Sequence, residues 1–187
     1  MSRLRLPTSV EYGGKEYEIY KDGDFETALG TLEILTDDSL TDYQKAYYAA
    51  DYFFNGNIPP DKDFVQSFIW HFLNRTREEK KSSDIECSPN LVDWQGDFDM
   101  IADAITPVLG HDVRTPNKYT HWWTFIGAYS QISPDCFYSH VLNIRNKKIK
   151  GERLEKWEQK FARENAEVIN RVFKLNASDA AWLDEDF

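Results

Sequence analysis

Residues Thr8–Tyr20 read TSVEYGGKEYEIY. Apolar and polar residues alternate on both sides of Gly13-Gly14, a two-residue connection that tolerates positive φ and matches the twist of a β-hairpin. Strands are predicted near Thr8–Tyr12 and Lys15–Tyr20. After Asp22-Gly23 the period changes: Phe25, Ala28, Leu29, Leu32 and Leu35 recur at the three-and-four spacing of an amphipathic helix. A lone hairpin is marginal in water, so one of its faces must lie on helices. The expected architecture is mainly α, a single domain over residues 1–175 with about six to seven helices and an N-terminal β-hairpin at about 8–20.

Further helices follow. Thr41 and Gln44 have the spacing of a capping box before a helix carrying Tyr43, Ala46, Tyr47, Ala50, Phe53 and Phe54. NGNIPP ends it. A third helix, about Asp61 to Arg75, is aromatic through Phe64, Phe68, Trp70 and Phe72. Residues 76–90, TREEKKSSDIECSPN, lack apolar periodicity and read as a solvated loop. Asp93 is expected to cap a helix that buries Trp94, Phe98, Ile101, Ala104 and Ile105, and Thr106-Pro107 to end it early. Ser133-Pro134 is a helix start with Phe137, Val141 and Ile144 as its apolar line. A charged helix spans about 152–175, and residues 176–187, NASDAAWLDEDF, form an acidic tail expected to be loose.

With 187 residues, 41% of them hydrophobic, the chain is long enough for a buried core. No apolar run reaches bilayer length, and MSRLRLPTSV lacks a secretory h-region, so the expected place is a cytoplasm. Cys87 and Cys136, without CxxC spacing, fit free thiols in a reducing compartment. The net charge of −10 is unevenly spread: residues 145–174 hold ten basic and five acidic side chains, a local +5, and the rest holds twelve against twenty-seven, −15. That basic segment suits an acidic partner, or the protein's own acidic surface.

Two blocks together carry a resemblance: the opening LPTSVEYGGKEYEI, and LVDWQGDFDMIADAI leading to HWWTFIGAYSQIS, then Ile144-Arg145 and a Lys/Arg/Glu-rich final helix. In order and content they resemble the phage gene-product-fifteen family of tailed phages and prophages of Gram-positive bacteria, over roughly Leu6 to Phe161. The acidic tail after Leu175 is not part of that pattern. Genes of this family sit between those for the major tail protein and the tape-measure protein. The resemblance therefore implies a non-enzymatic tail assembly chaperone in the host bacterial cytoplasm, with the tape-measure protein as its partner and the tail tube protein and a homo-oligomer as further candidate associations. A permanent structural piece of the tail or its connector is the alternative. The family supplies no catalytic motif.

The residues agree that chemistry is not encoded in an obvious way. There is no GxSxG, phosphate loop or HExxH. His121, Cys136 and His140 are three possible ligands without motif spacing, where zinc wants about four, so no metal or cofactor is expected. Asp93 and Asp97, like Asp99 and Asp103, are four apart, but a helix start favours acidic residues without any metal. In YTHWWTFIGAYSQI, residues 119–132, Trp122 shares a stripe with Phe125, Ile126, Tyr129 and Ile132 and is expected in the core. Trp123 stands about 100° away and is the one expected nearer a partner. Residues 144–174 place Leu154, Trp157, Phe161, Val168 and Val172 near one helical face, either as ordinary packing or as a docking helix. The candidate partner-binding residues are thus Trp123, Arg145, Lys147, Lys148, Trp157 and Phe161. Glutamates interleaved with the cations argue against nucleic acid.

Overall fold

The computed structural model describes residues 5–75 and 91–170. The expected loop at 76–90, Cys87, the end of the charged helix and the acidic tail lie outside these residues. The chain divides into two compact units, one containing residues 1–85 and 119–127, the other 86–118 and 128–180, with 181–187 grouped with the first. Among the described residues there are one two-stranded antiparallel sheet and eight α-helices. None of these helices is long and apolar enough to cross a membrane.

The first unit opens with the hairpin, β1 (Ser9–Tyr12) paired with β2 (Lys15–Glu18). Gly13 and Gly14 both have positive φ, 59° and 78°, as a two-residue hairpin turn requires. Val10 faces Tyr17 across the ladder, and both are buried. A tight turn at Tyr20–Gly23 leads to α1 (Phe25–Thr36), whose N-cap Asp24 accepts from Glu26 N–H at 2.9 Å. The capping box appears at the start of α2 (Asp42–Phe53), where Thr41 N–H donates to Gln44 Oε1 at 3.0 Å. Asp61 caps α3 (Lys62–Leu73) through Phe64 N–H. Phe53, Phe54, Phe68 and Phe72 then pack edge-to-face or stacked, with centroids 5.0–6.2 Å apart.

Periodicity misassigns some faces here. On α1 the buried residues are Phe25, Thr27, Ala28 and Thr31, while Leu29, Leu32 and Leu35 are half-buried. The threonines can turn inward because their hydroxyls donate to backbone carbonyls, Thr27 to Tyr20 O and Thr31 to Thr27 O. On α2, Tyr43 is 70% exposed, and Tyr47 and Tyr48 are also exposed; Ala49, Ala50 and Phe53 carry the packing.

The second unit begins with a turn at residues 94–97 and α4 (Phe98–Leu109). This helix starts later than expected and passes through Pro107 instead of stopping before it. The proline lies in the last turn, and the helix ends two residues on, at Leu109, with Gly110 (φ 75°) as its C-cap. Helix α5 (Trp122–Tyr129) belongs to the first unit up to Gly127. Helix α6 (Phe137–Ile149) starts at Cys136, not at Ser133-Pro134, because Ser133 is engaged in a local turn: its Oγ accepts from Asp135 N–H and its carbonyl from Ser139 Oγ. The inward face of α6 is Tyr138, Val141, Ile144 and Arg145, so Phe137 lies outside the expected apolar line. The single long charged helix is two: α7 (Lys156–Glu164) and α8 (Ala166–Ile169), separated by the non-helical Asn165.

Candidate functional site

The HWW segment is a structural tie. Helix α3 ends with carbonyls that have no partner in their own helix. Trp122 Nε1–H donates to Leu73 O at 2.9 Å and Trp123 Nε1–H to Phe72 O at 2.8 Å. His121 Nδ1 accepts from Trp123 N–H at 3.0 Å, which leaves the ring proton on Nε2, facing Pro7 O at 3.0 Å. Burial pushes the His121 imidazole below its ordinary value, so it is held neutral. Around it Thr120 N–H donates to Asp24 Oδ2, Phe25 N–H to Thr120 O and Tyr119 hydroxyl to Asp22 O. Four chain segments meet there: Pro7, Asp22–Phe25, the end of α3 and Tyr119–Trp123. Trp123, expected nearer the surface, is instead buried, 8% exposed, with its polar edge engaged by Phe72 O. Adjacent tryptophans can both turn inward because they open the helix, against the end of α3.

Arg145 is likewise not a surface charge. Its guanidinium is 3% exposed and grips the fully buried Asp97 bidentately, Nη1–Oδ2 at 2.6 Å and Nη2–Oδ1 at 3.0 Å. The remaining donors reach Leu91 O and Val168 O, both at 2.8 Å. Tyr138 hydroxyl approaches Asp97 Oδ2 at 3.5 Å. Asp97 therefore spends its carboxylate on Arg145, and although it stands at the N-cap of α4 it makes no capping bond. Asp93 does the local turn work, accepting from Gln95 and Gly96 N–H. Asp99 and Asp103, with Asp112, surround Arg114 at 2.5–3.0 Å.

The exposed aromatic surface lies on α6 and α7. His140 stands edge-on to Trp157 and Phe161, with centroids at 5.3 and 5.9 Å, and Phe137 lies 5.2 Å from Phe161. Trp157 and Phe137 are each 46% exposed, whereas Phe161 and His140 are half-buried. Buried Glu158 pins α7 in place: it accepts from Lys147 Nζ at 2.7 Å, Asn143 Nδ2 at 3.1 Å and Glu155 N–H at 2.8 Å. Burial alone would raise the Glu158 carboxyl, but Lys147 and these donors hold it below its ordinary value. Trp157, one residue before this anchor, is thus presented outward, its Nε1–H steadied by Glu155. Exposed Lys156 and Lys160 lie one turn apart beside it.

Of the six candidates, Trp157 and Phe161 come together on this face. Lys147 is consumed by Glu158, and Lys148 is tied to Asn170. Sequence reasoning missed Phe137 and His140; their spacing from each other, three residues, was visible, but α7's position over them was not. The three residues considered as metal ligands, from which no site was expected, have other employment. His121 is held as described, Cys136 Sγ accepts from Ser139 N–H at the α6 cap, and His140 sits among rings. Among the described residues no group of three His, Cys, Asp or Glu is arranged to hold a metal ion.

The family model described as "Bacteriophage Gp15 protein" matches residues 3–170. No curated protein and no solved structure matches.

Proposed function

We propose that this chain, which belongs to the Bacteriophage Gp15 family, is a non-enzymatic tail assembly protein that binds the tape-measure protein reversibly in the host cytoplasm and yields to tail-tube subunits. The observation that supports this reading most is Trp157, half exposed beside Phe161 on a helix clamped by a buried glutamate. A tryptophan held outward by a rigid support is the kind of residue that anchors an interface, and cations around it favour an acidic or amphipathic partner. Nucleic acid would reward charge without the rings, and here Lys147 and Arg145 are spent internally.

The test is capture of co-expressed tape-measure protein. Trp157→Ala, a change at a half-exposed site, leaves the fold intact and weakens capture about thirtyfold or more, equivalent to the ~2 kcal/mol of an anchoring tryptophan. Lys147→Glu is a poor probe of the interface, because it places a second carboxylate on Glu158. For purified virions the expected mass-spectrometric result is that the protein is absent. Capture that ignores Trp157, or a fixed copy number in virions, overturns the chaperone reading in favour of a permanent tail component.

A further inference from the structure

In the first unit, β2 is an edge strand of a two-stranded sheet. Ile19 N–H donates to Thr8 O at 2.9 Å, which continues the β1–β2 ladder by one pair. Ladder bonds on β2 therefore fall to Lys15, Tyr17 and Ile19, and Glu16 and Glu18 turn their N–H and C=O groups outward. Among the described residues no backbone bond reaches those outward groups. The side chains of Glu16 and Glu18, with that of Glu11 on β1, are exposed on the face opposite buried Val10 and Tyr17.

Beyond Glu18 the edge runs into a cleft of about 340 Å³ between residues 18–22 and the loop carrying Phe54, Asn55 and Asn57. Its lining residues Lys21, Asp22 and Asn55 have φ of 48°, 55° and 48°. Non-glycine residues held in that region cluster at sites that clamp a ligand. Lys21 is matched by Glu26 at 2.7 Å, so Glu18 and Asp22 set the charge of the cleft.

We propose that β2 is a docking edge, extended to three strands by a segment of another protein that carries Lys or Arg at alternate positions. The site is separate from the α6–α7 face and does not depend on the role given to Trp157. Edge addition supplies main-chain hydrogen bonds, and the side chains beside them supply selectivity. Here charge selects the partner. From Glu16 to Glu26 there are five acidic side chains and one lysine. In an added antiparallel strand, the residues facing Glu16 and Glu18 have their Cα atoms about 5.5 Å away and their side chains on the same face. Cations at those two positions pair with both glutamates, and a further one lies towards Asp22. A second copy of this chain is a poor occupant. An antiparallel β2–β2 pair in full register sets Glu16 against Glu18 twice, and like charges directly opposite destabilise a sheet.

The experiment uses the full chain and, as probe, a short synthetic peptide alternating lysine with threonine. Hydrogen exchange and amide resonances are followed residue by residue. At saturating peptide the Glu16 and Glu18 amides are expected to exchange about tenfold or more slowly, while those of Ser9 and Glu11 are unchanged. Glu16→Lys with Glu18→Lys is expected to weaken binding about tenfold or more. Protection of the Val10 and Tyr17 amides shows that this variant keeps its hairpin. A second probe needs no variant: the same peptide N-methylated at its lysines keeps its charge, loses the N–H groups that pair with β2, and is expected not to bind. Absence of binding at millimolar peptide, equal binding of the N-methylated peptide, or binding that leaves the Glu16 and Glu18 amides unprotected overturns the proposal. Protection of those amides in the chain alone also overturns it, because the edge is then already covered.

Discussion

The two units are tied by the same device built from opposite chemistry. In the first, neutral donors reach carbonyls far along the chain: the indoles of Trp122 and Trp123 to the end of α3, and His121 to Pro7. In the second, the guanidinium of Arg145 performs that task for Leu91 and Val168 and also holds a buried carboxylate. A neutral tie that loses one arm leaves one unsatisfied dipole. A charged tie that loses one arm leaves an ion in a medium that cannot solvate it. The second unit is therefore the more brittle.

The largest expected effect tests that brittleness. Asp97→Ala strands Arg145 and lowers stability by about 3–5 kcal/mol in urea unfolding. Replacing both partners, Asp97→Leu with Arg145→Met, does not recover it, because the carbonyls of Leu91 and Val168 then lose their donors. Full recovery in the double variant breaks the comparison, since Arg145 would then be serving Asp97 alone. Next in size is Trp123→Phe, which deletes one indole N–H and keeps most of the ring. It costs about 1 kcal/mol, at the low end for an unmade hydrogen bond, because Phe72 O also accepts from Arg75 N–H at 3.2 Å. A loss equal to that of Asp97→Ala would erase the distinction between the units.

The smallest effect is acid sensitivity of the neutral tie. The folded pKa of His121 lies below its ordinary 6.5 through burial, so the unfolded chain takes up the proton first. The sign follows: stability is unaffected above pH 6.5 and declines as pH falls from there toward the depressed folded value. A second proton on the ring would also confront Trp123 N–H at Nδ1. Urea midpoints measured across pH 5–7 show this slope, and His121→Gln flattens it. Identical slopes in the two proteins refute the assignment.

What could be read from the sequence is what neighbouring residues decide. The Gly13-Gly14 turn and the Thr41/Gln44 box are written within four residues, and both stand in the structure. The mainly helical class follows from periods that survive modest errors of face. Misreadings arise where a distant group changes the local answer. Asp97 looks like a helix-start acid until a residue 48 positions away claims it. Trp123 is turned off its helix stripe but finds a carbonyl 51 positions back. The same holds for the aromatic face of α6 and α7: Trp157 and Phe161 are identifiable by spacing, whereas exposure of the first depends on Glu158 meeting Lys147, 11 residues earlier.

The indole-to-α3 bonds also bear on the order in which the protein can be made. Trp122 follows Leu73 by 49 residues. A ribosome adding about 5–20 residues per second needs roughly 2–10 s to cover that distance, long compared with the microseconds in which a helix forms. Throughout that interval α3 has emerged without the two indoles that bond its last carbonyls, and Pro7 waits for a histidine 114 positions downstream. The first unit is therefore completed from its far end: translation must pass through residues 86–118 of the second unit before the first can close. A nascent chain halted between residues 75 and 119 would display an open aromatic core, a natural substrate for the host's general folding machinery.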